Sequence, residues 1–143
     1  MCALAGSLLL LGRNEDAMRE YARARAVGVA HGFFAMECES CLGLGRHEIE
    51  EGRHEEGVEL LQNALACVPL LEIDEENNHE CAILSSLADA LFQTHAVDEV
   101  EPLVVRLQEK AQEESSKRAP GHVHYAEFYV PLCSARLHEV LHI

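Results

Sequence analysis

The sequence holds one motif that could carry chemistry near its C-terminus, where His138 and His142 flank Glu139 in the pattern His-Glu-x-x-His. On a helix the two histidines lie one turn apart on one face, where they can bind Zn²⁺ while the glutamate acts as a general base. Peptidases with this motif take a third zinc ligand from further along the chain, and the sequence offers none after His142. We therefore expect two ordinary histidines and no catalysis, with a metal-binding protein or metallopeptidase as the alternative.

A second motif, Cys38-x-x-Cys41, has the spacing of half a metal site or of a redox pair. No second pair with this spacing occurs, and the motif lies inside a predicted helix rather than at a helix N-terminus, where a thiolate is stabilised. We expect buried structural thiols and no cofactor. Six cysteines without a convincing signal peptide indicate a reducing, cytoplasmic location.

Composition and charge narrow the class of protein. The 143 residues, 48% hydrophobic and 25% charged, predict one globular domain over residues 1–143. A net charge of −14 argues against nucleic acid and anionic membranes as partners, and no segment reaches the ~18–20 apolar residues of a membrane span. Residues 37–80 hold thirteen acidic residues against two arginines. This charge indicates either a solvated helix surface or a docking surface for a basic partner.

An internal repeat organises the chain. Residues 12–24 and 52–64 share the pattern Gly-Arg-x-acid-acid-small-apolar-x-x-large-x-x-Ala, and a weaker third copy has His95 at the glycine position. Glycine is suited to the left-handed position that ends a helix, and an acidic pair suits the start of the next one. Each copy therefore predicts two antiparallel helices, whose small residues allow close packing.

The predicted helices cover residues 3–11, 15–30, 34–51, 54–67, 79–93 and 97–116, with an acidic loop at 70–78 and a terminal helix at about 123–142. The pattern resembles the tetratricopeptide repeat, and the residues that carry the resemblance are Gly12, Ala17, Tyr21, Ala24, Leu44, Gly45, Gly52, Ala64 and Pro69. The resemblance implies an all-α helix–turn–helix solenoid. It would have about three repeats (1–32, 33–77 and 78–118) and a C-terminal capping helix. The 40-residue period exceeds the usual ~34, which implies longer helices.

The resemblance also implies a protein–protein interaction module, an adaptor or scaffold without enzymatic activity, which binds a peptide or helix in a concave groove. The groove positions it implies are Glu39, Leu42, Gly43, Arg46, Ser85, Ser86 and Asp89. Only Arg46 is basic, so the clamp that related domains use for a C-terminal carboxylate is not reproduced. We expect a basic or amphipathic partner segment.

The first predicted helix ends in four consecutive leucines, Leu8 to Leu11. The terminal helix of a solenoid normally has a polar outer face. The run therefore indicates either that the sequence is a fragment of a longer repeat protein or that the chain self-associates through this helix.

Overall fold

The computed structural model describes residues 2–71, 73–94 and 96–117, and these ranges contain helices and turns but no strand. The helices are α1 (Cys2–Leu10), α2 (Asn14–His31), α3 (Phe34–Glu50), α4 (His54–Cys67), α5 (Ile73–Gln93) and α6 (Val97–Lys117), with a 3-10 turn at Val68–Leu70. The all-α prediction is confirmed. The predicted terminal helix at 123–142 lies outside the described residues.

The chain divides into two compact units, Met1–Glu76 and Asn77–Ile143. In the first unit each helix packs against the next from α1 to α4, and α1 also contacts α3. Since short turns join these helices, neighbours run antiparallel. The second unit contains most of α5 and all of α6. The division into three repeats within a single domain stays a prediction.

Glycines end the helices as the repeat predicts. Gly12, Gly32 and Gly52 have φ angles of 76°, 68° and 84°, in the left-handed region that glycine adopts without steric cost. After each of these glycines the next backbone N–H reaches back five residues: Arg13 donates to the Leu8 carbonyl at 2.9 Å, Phe33 to the Gly28 carbonyl at 3.0 Å and Arg53 to the Glu48 carbonyl at 2.8 Å. These bonds satisfy carbonyls that the helix end leaves unpaired.

Small residues bring the helices of a hairpin together, also as predicted. The repeat alanines Ala17, Ala24 and Ala64 are fully buried. Gly45 of α3 and Gly57 of α4 approach still more closely: a Cβ built on Gly57 would lie 3.0 Å from the Gly45 carbonyl oxygen. Only glycine fits at this crossing without moving backbone.

The second unit has its own buried apolar residues, which lie on α5 and α6. The buried residues on α5 and α6 include Leu87, Ala88, Ala90, Val100, Val104 and Leu107. Glu80 of α5 is also buried, and it pairs with Lys110 (Nζ to Oε2, 2.9 Å) and Arg106 (Nε to Oε1, 2.8 Å) of α6. The ion pairs fix which turn of α6 lies beside Glu80.

The predicted acidic loop at residues 70–78 is wrong, because α5 begins at Ile73. The acidic residues at 74–76 therefore occupy the first turn of a helix. The helix dipole favours negative charge in the first turn of a helix, so an acidic run is compatible with a helix start as well as with a loop.

Candidate functional site

The most distinctive surface of the first unit lies where the ring of Tyr21, on α2, packs on Gly43 of α3. A Cβ built on Gly43 would lie 2.6 Å from both Cε2 and Cζ of that ring. Glu39 and Arg46 lie one turn to either side of Gly43 on the same face of α3, and both are exposed. The absence of a side chain at Gly43 leaves space that the tyrosine ring fills.

Cys2, on α1, interacts electrostatically with the residues of the same surface. Burial raises the pKa of the Cys2 thiol to about 11, with Glu39 adding to the effect as a nearby negative charge and hydrogen-bond partner. Burial also raises the pKa of Tyr21, with contributions from Cys2 and Glu39 that the positive charge of Arg46 opposes. Three helices thus contribute to one surface. We call Cys2, Tyr21, Glu39, Gly43 and Arg46 the Tyr21 face.

The other predicted groove residues are placed differently. Leu42 is buried and belongs to the core of the first unit rather than to its surface. Ser85, Ser86 and Asp89 lie on α5 in the second unit, each partly buried. The Asp89 carboxylate accepts a hydrogen bond from Gln93 Nε2 at 3.1 Å.

Two members of the Tyr21 face, Tyr21 and Cys2, are absent from the predicted groove positions. In the sequence Tyr21 stands out only as a residue of the repeat pattern and Cys2 only as one of six cysteines. The available signal was Gly43, a glycine that stands outside the repeated pattern, since the corresponding residue of the first copy is Ala3. A helical glycine without a capping role indicates a close neighbour, which here is the Tyr21 ring.

The cysteines of α3 and α4 are buried, as predicted, and their surroundings disfavour the thiolate. Burial, followed by the proximity of Cys67, raises the pKa of Cys38 to about 12. Burial and nearby Glu37 raise that of Cys67 to about 11. Burial raises the pKa of Cys41 as well, although Arg25 opposes the shift. A thiol is nucleophilic or metal-binding as thiolate, so these environments favour structural roles.

Acidic side chains cover the exposed surface of α3 and α4. The exposed acids of this hairpin are Glu39, Glu50, Glu51, Glu55, Glu56 and Glu59. Its two arginines differ in their surroundings: the Arg53 guanidinium is paired with Glu48 and lowers the pKa of that carboxyl, while Arg46 lies on the Tyr21 face. The hairpin therefore has a strongly negative outer surface.

The His-Glu-x-x-His motif and the question of a metal site concern the last features that the sequence singled out. His138 and His142 lie outside the described residues. Within residues 2–71, 73–94 and 96–117, no group of three or more His, Cys, Asp or Glu side chains is arranged to hold a metal ion. None of the helices in these ranges combines the length and apolar character needed to cross a membrane.

Comparisons with known proteins give no match: no family model, no curated protein and no solved structure is similar to this chain.

Proposed function

We propose that this chain is a protein–protein interaction module of tetratricopeptide-like architecture, which binds a basic or amphipathic segment on the Tyr21 face. The architecture is supported by left-handed glycines at the end of successive helices and by small residues at the hairpin contacts. Helical hairpins stacked in this way form extended surfaces suited to peptides or helices. Free thiols at the described cysteines fit the cytoplasmic location that the proposal includes.

The observation that carries the proposal is the packing of Tyr21 on Gly43 between two exposed charged residues. A partly buried tyrosine offers a large, rigid contact area at a low cost in conformational entropy, which is why tyrosine is frequent at interfaces. The bare backbone at Gly43 lets that ring lie close to α3. The result is an aromatic platform next to the exposed carboxylate of Glu39.

The negative charge of the surface formed by α3 and α4 favours a basic partner segment. The exposed acids of α3 and α4 attract a basic segment, and Glu39 lies where such a segment would meet the tyrosine. Long-range attraction of this kind raises the association rate and weakens as salt shortens the Debye length to about 8 Å at physiological ionic strength. An acidic tail would be repelled by the same surface.

The test uses two amphipathic helical peptides that share their apolar residues and differ only in carrying Lys or Glu on the polar face. Affinities for the intact chain are measured by fluorescence anisotropy at low and at physiological ionic strength. We expect the basic peptide to bind more tightly, with an affinity that falls as salt rises. A preference for the acidic peptide, or salt-independent binding of the basic one, would contradict the proposal.

Two matched charge reversals locate the site. Glu39→Lys changes the Tyr21 face, whereas Glu59→Lys makes the same change at an exposed position of α4. Both alter the overall charge equally, so any difference between them reports a local contact. We expect Glu39→Lys to weaken binding of the basic peptide more strongly. Equal losses would mean that the negative charge acts only at a distance and that the peptide binds elsewhere.

A further inference from the structure

α1 has an unusual surface for a helix at the edge of a compact unit. Its nine residues include no charged side chain, in contrast to the other five described helices. Ala5 and Leu8 are buried within the first unit. A helix that is apolar on all sides is normally covered on all sides.

The opposite side of α1 is exposed and apolar. This side, which we call the outer face of α1, consists of Ala3, Leu4, Ser7, Leu10 and Leu11. Leu4, Leu10 and Leu11 are 52%, 90% and 72% exposed. The Leu11 N–H still donates to the Ser7 carbonyl at 3.2 Å, so the helical spacing extends through Leu11. At 100° per residue these five positions span one continuous side of the helix.

The one polar side chain of this face is already satisfied. The Ser7 hydroxyl donates a hydrogen bond to the Ala3 carbonyl at 3.1 Å within the same helix. Covering the outer face would therefore leave no side-chain donor without a partner, so its burial avoids the usual desolvation penalty of a polar group.

We propose that the outer face of α1 is the interface for a second copy of this chain, packed antiparallel about a two-fold axis near Ser7. This inference is independent of the proposed function. The distribution of charge favours a second copy, because residues 1–36 have four arginines against three acids whereas the whole chain has a net charge of −14. Two copies that meet through α1 bring together the part of the sequence with the least mutual repulsion.

Side-chain size along α1 suits the antiparallel arrangement. The small residues of the outer face, Ala3 and Ser7, lie in its first two turns beside Leu4, and the large Leu10 and Leu11 follow. A two-fold axis at Ser7 places Ala3 of one copy opposite Leu11 of the other, and Leu4 opposite Leu10. The interface is then the same patch on both copies, with the small Ala3 facing the large Leu11 at each end and two leucines in contact between each end and the axis. Ser7 at the axis allows the two helices to approach closely.

The first measurement is the mass of the full chain by sedimentation velocity over a range of concentrations. We expect a monomer–dimer equilibrium that Leu10→Glu shifts by at least about tenfold toward monomer, because the two-fold places two unpaired charges in the interface. Val29→Glu on α2, at a position 58% exposed, is the matched control and should leave the equilibrium unchanged. A monomer at every concentration would overturn the proposal. So would masses that grow beyond the dimer, or a dimer that Leu10→Glu leaves intact.

Cross-linking tests the geometry. In a background with Cys2→Ser and Cys133→Ser, the substitution Ser7→Cys places one thiol per chain at the axis. We expect Ser7→Cys to form an intermolecular disulfide faster than Leu10→Cys, whose proposed neighbour is Leu4 and not a second Leu10. Mixing Leu4→Cys with Leu10→Cys chains should restore cross-linking. Faster self-cross-linking of Leu10→Cys alone would overturn the antiparallel two-fold.

Discussion

The ring of Tyr21 occupies the space that a side chain at Gly43 would need, since a Cβ there would lie 2.6 Å from two of its ring atoms. Non-bonded atoms do not approach so closely, so any larger residue at position 43 must displace the ring or move α3 away from α2. The tyrosine is the flexible partner, because the atoms in conflict are at the far end of its side chain. The pair therefore couples the stability of the hairpin to the shape of the Tyr21 face.

We predict that Gly43→Ala destabilises the chain by about 1 kcal/mol in the free energy of unfolding, the low end of the cost of overpacking, because the partly buried Tyr21 ring can move aside. With the ring removed by Tyr21→Ala, the same substitution should stabilise the chain by roughly 0.5–1 kcal/mol, because alanine is favoured over glycine inside a helix. Urea denaturation of the parent chain, the two single variants and the double variant checks this change of sign. Equal effects of Gly43→Ala in both backgrounds would contradict the coupling.

The crossing of α3 and α4 gives a second prediction. A Cβ on Gly57 would lie 2.5 Å from Ile49 Cγ1 and 3.0 Å from the Gly45 carbonyl oxygen, so Gly57→Ala has to push backbone apart. We expect a loss of about 1–3 kcal/mol in the free energy of unfolding. Gly6→Ala on α1 is the matched control, because a Cβ there has no neighbour within 4 Å. It should stabilise by roughly 0.5–1 kcal/mol. If Gly57→Ala lowers the free energy of unfolding no more than the control does, α3 and α4 do not approach as closely at Gly57 as described.

The sequence predicted the features of this fold that are local. Gly12 and Gly52 end helices because their left-handed conformation is encoded in single residues. α4 spans His54–Cys67, as the repeat predicted, because a glycine and an acidic pair fix its start. The start of α5 was mispredicted because an acidic run suits both a loop and a first helical turn, and nothing local distinguishes them.

Features that depend on two distant residues were not predictable in this way. The sequence pattern identified Gly43 as a groove position and Tyr21 as a repeat residue, but not that the ring of Tyr21 packs on Gly43. It also did not identify Glu80 and Lys110 as a buried pair, since both are ordinary surface residue types. Such pairings depend on which turns of two helices meet, and a one-dimensional repeat does not specify that register.

The buried thiols predict a loss of stability at alkaline pH. Below pH 9, the ordinary value for a cysteine, Cys38 is protonated in both the folded and the unfolded chain. Between pH 9 and about 12 the unfolded chain loses this proton while the folded chain retains it, because burial raises the pKa of Cys38 to about 12. The free energy of unfolding therefore falls as pH rises through this window.

Other groups also titrate at alkaline pH, so the comparison is between the parent chain and Cys38→Ala. Urea unfolding at pH 8, 9 and 10 should show a smaller decline with pH for Cys38→Ala than for the parent chain, because the variant lacks one group that titrates differently in the two states. Alkylation of the folded chain with a thiol reagent gives a second test that does not depend on unfolding. Cys38 should resist alkylation under native conditions, since the thiolate is the reactive form. Identical pH dependence of the two chains would contradict the assigned surroundings of Cys38.

The ion pair between Glu80 and Lys110 gives the last prediction. Both side chains are at least nine-tenths buried, with Nζ 2.9 Å from Oε2, and Arg106 lies 2.8 Å from the other carboxylate oxygen. Removing one member of a buried pair leaves a charge without its partner, which typically costs about 3–5 kcal/mol.

We therefore expect Lys110→Met to lower the free energy of unfolding by about 3 kcal/mol, the low end of that range, because Arg106 still pairs with the other oxygen of Glu80. Arg106→Met should cost less, because the arginine is 40% exposed and solvent screens its pairing. The double variant Glu80→Leu and Lys110→Met removes both charges and should recover most of the loss, as replacement of a whole buried pair by apolar residues is often neutral. Thermal or urea unfolding of the three variants decides this. If the double variant is no more stable than Lys110→Met alone, the loss comes from packing around Lys110 and not from the loss of one ion-pair partner of the buried Glu80 carboxylate.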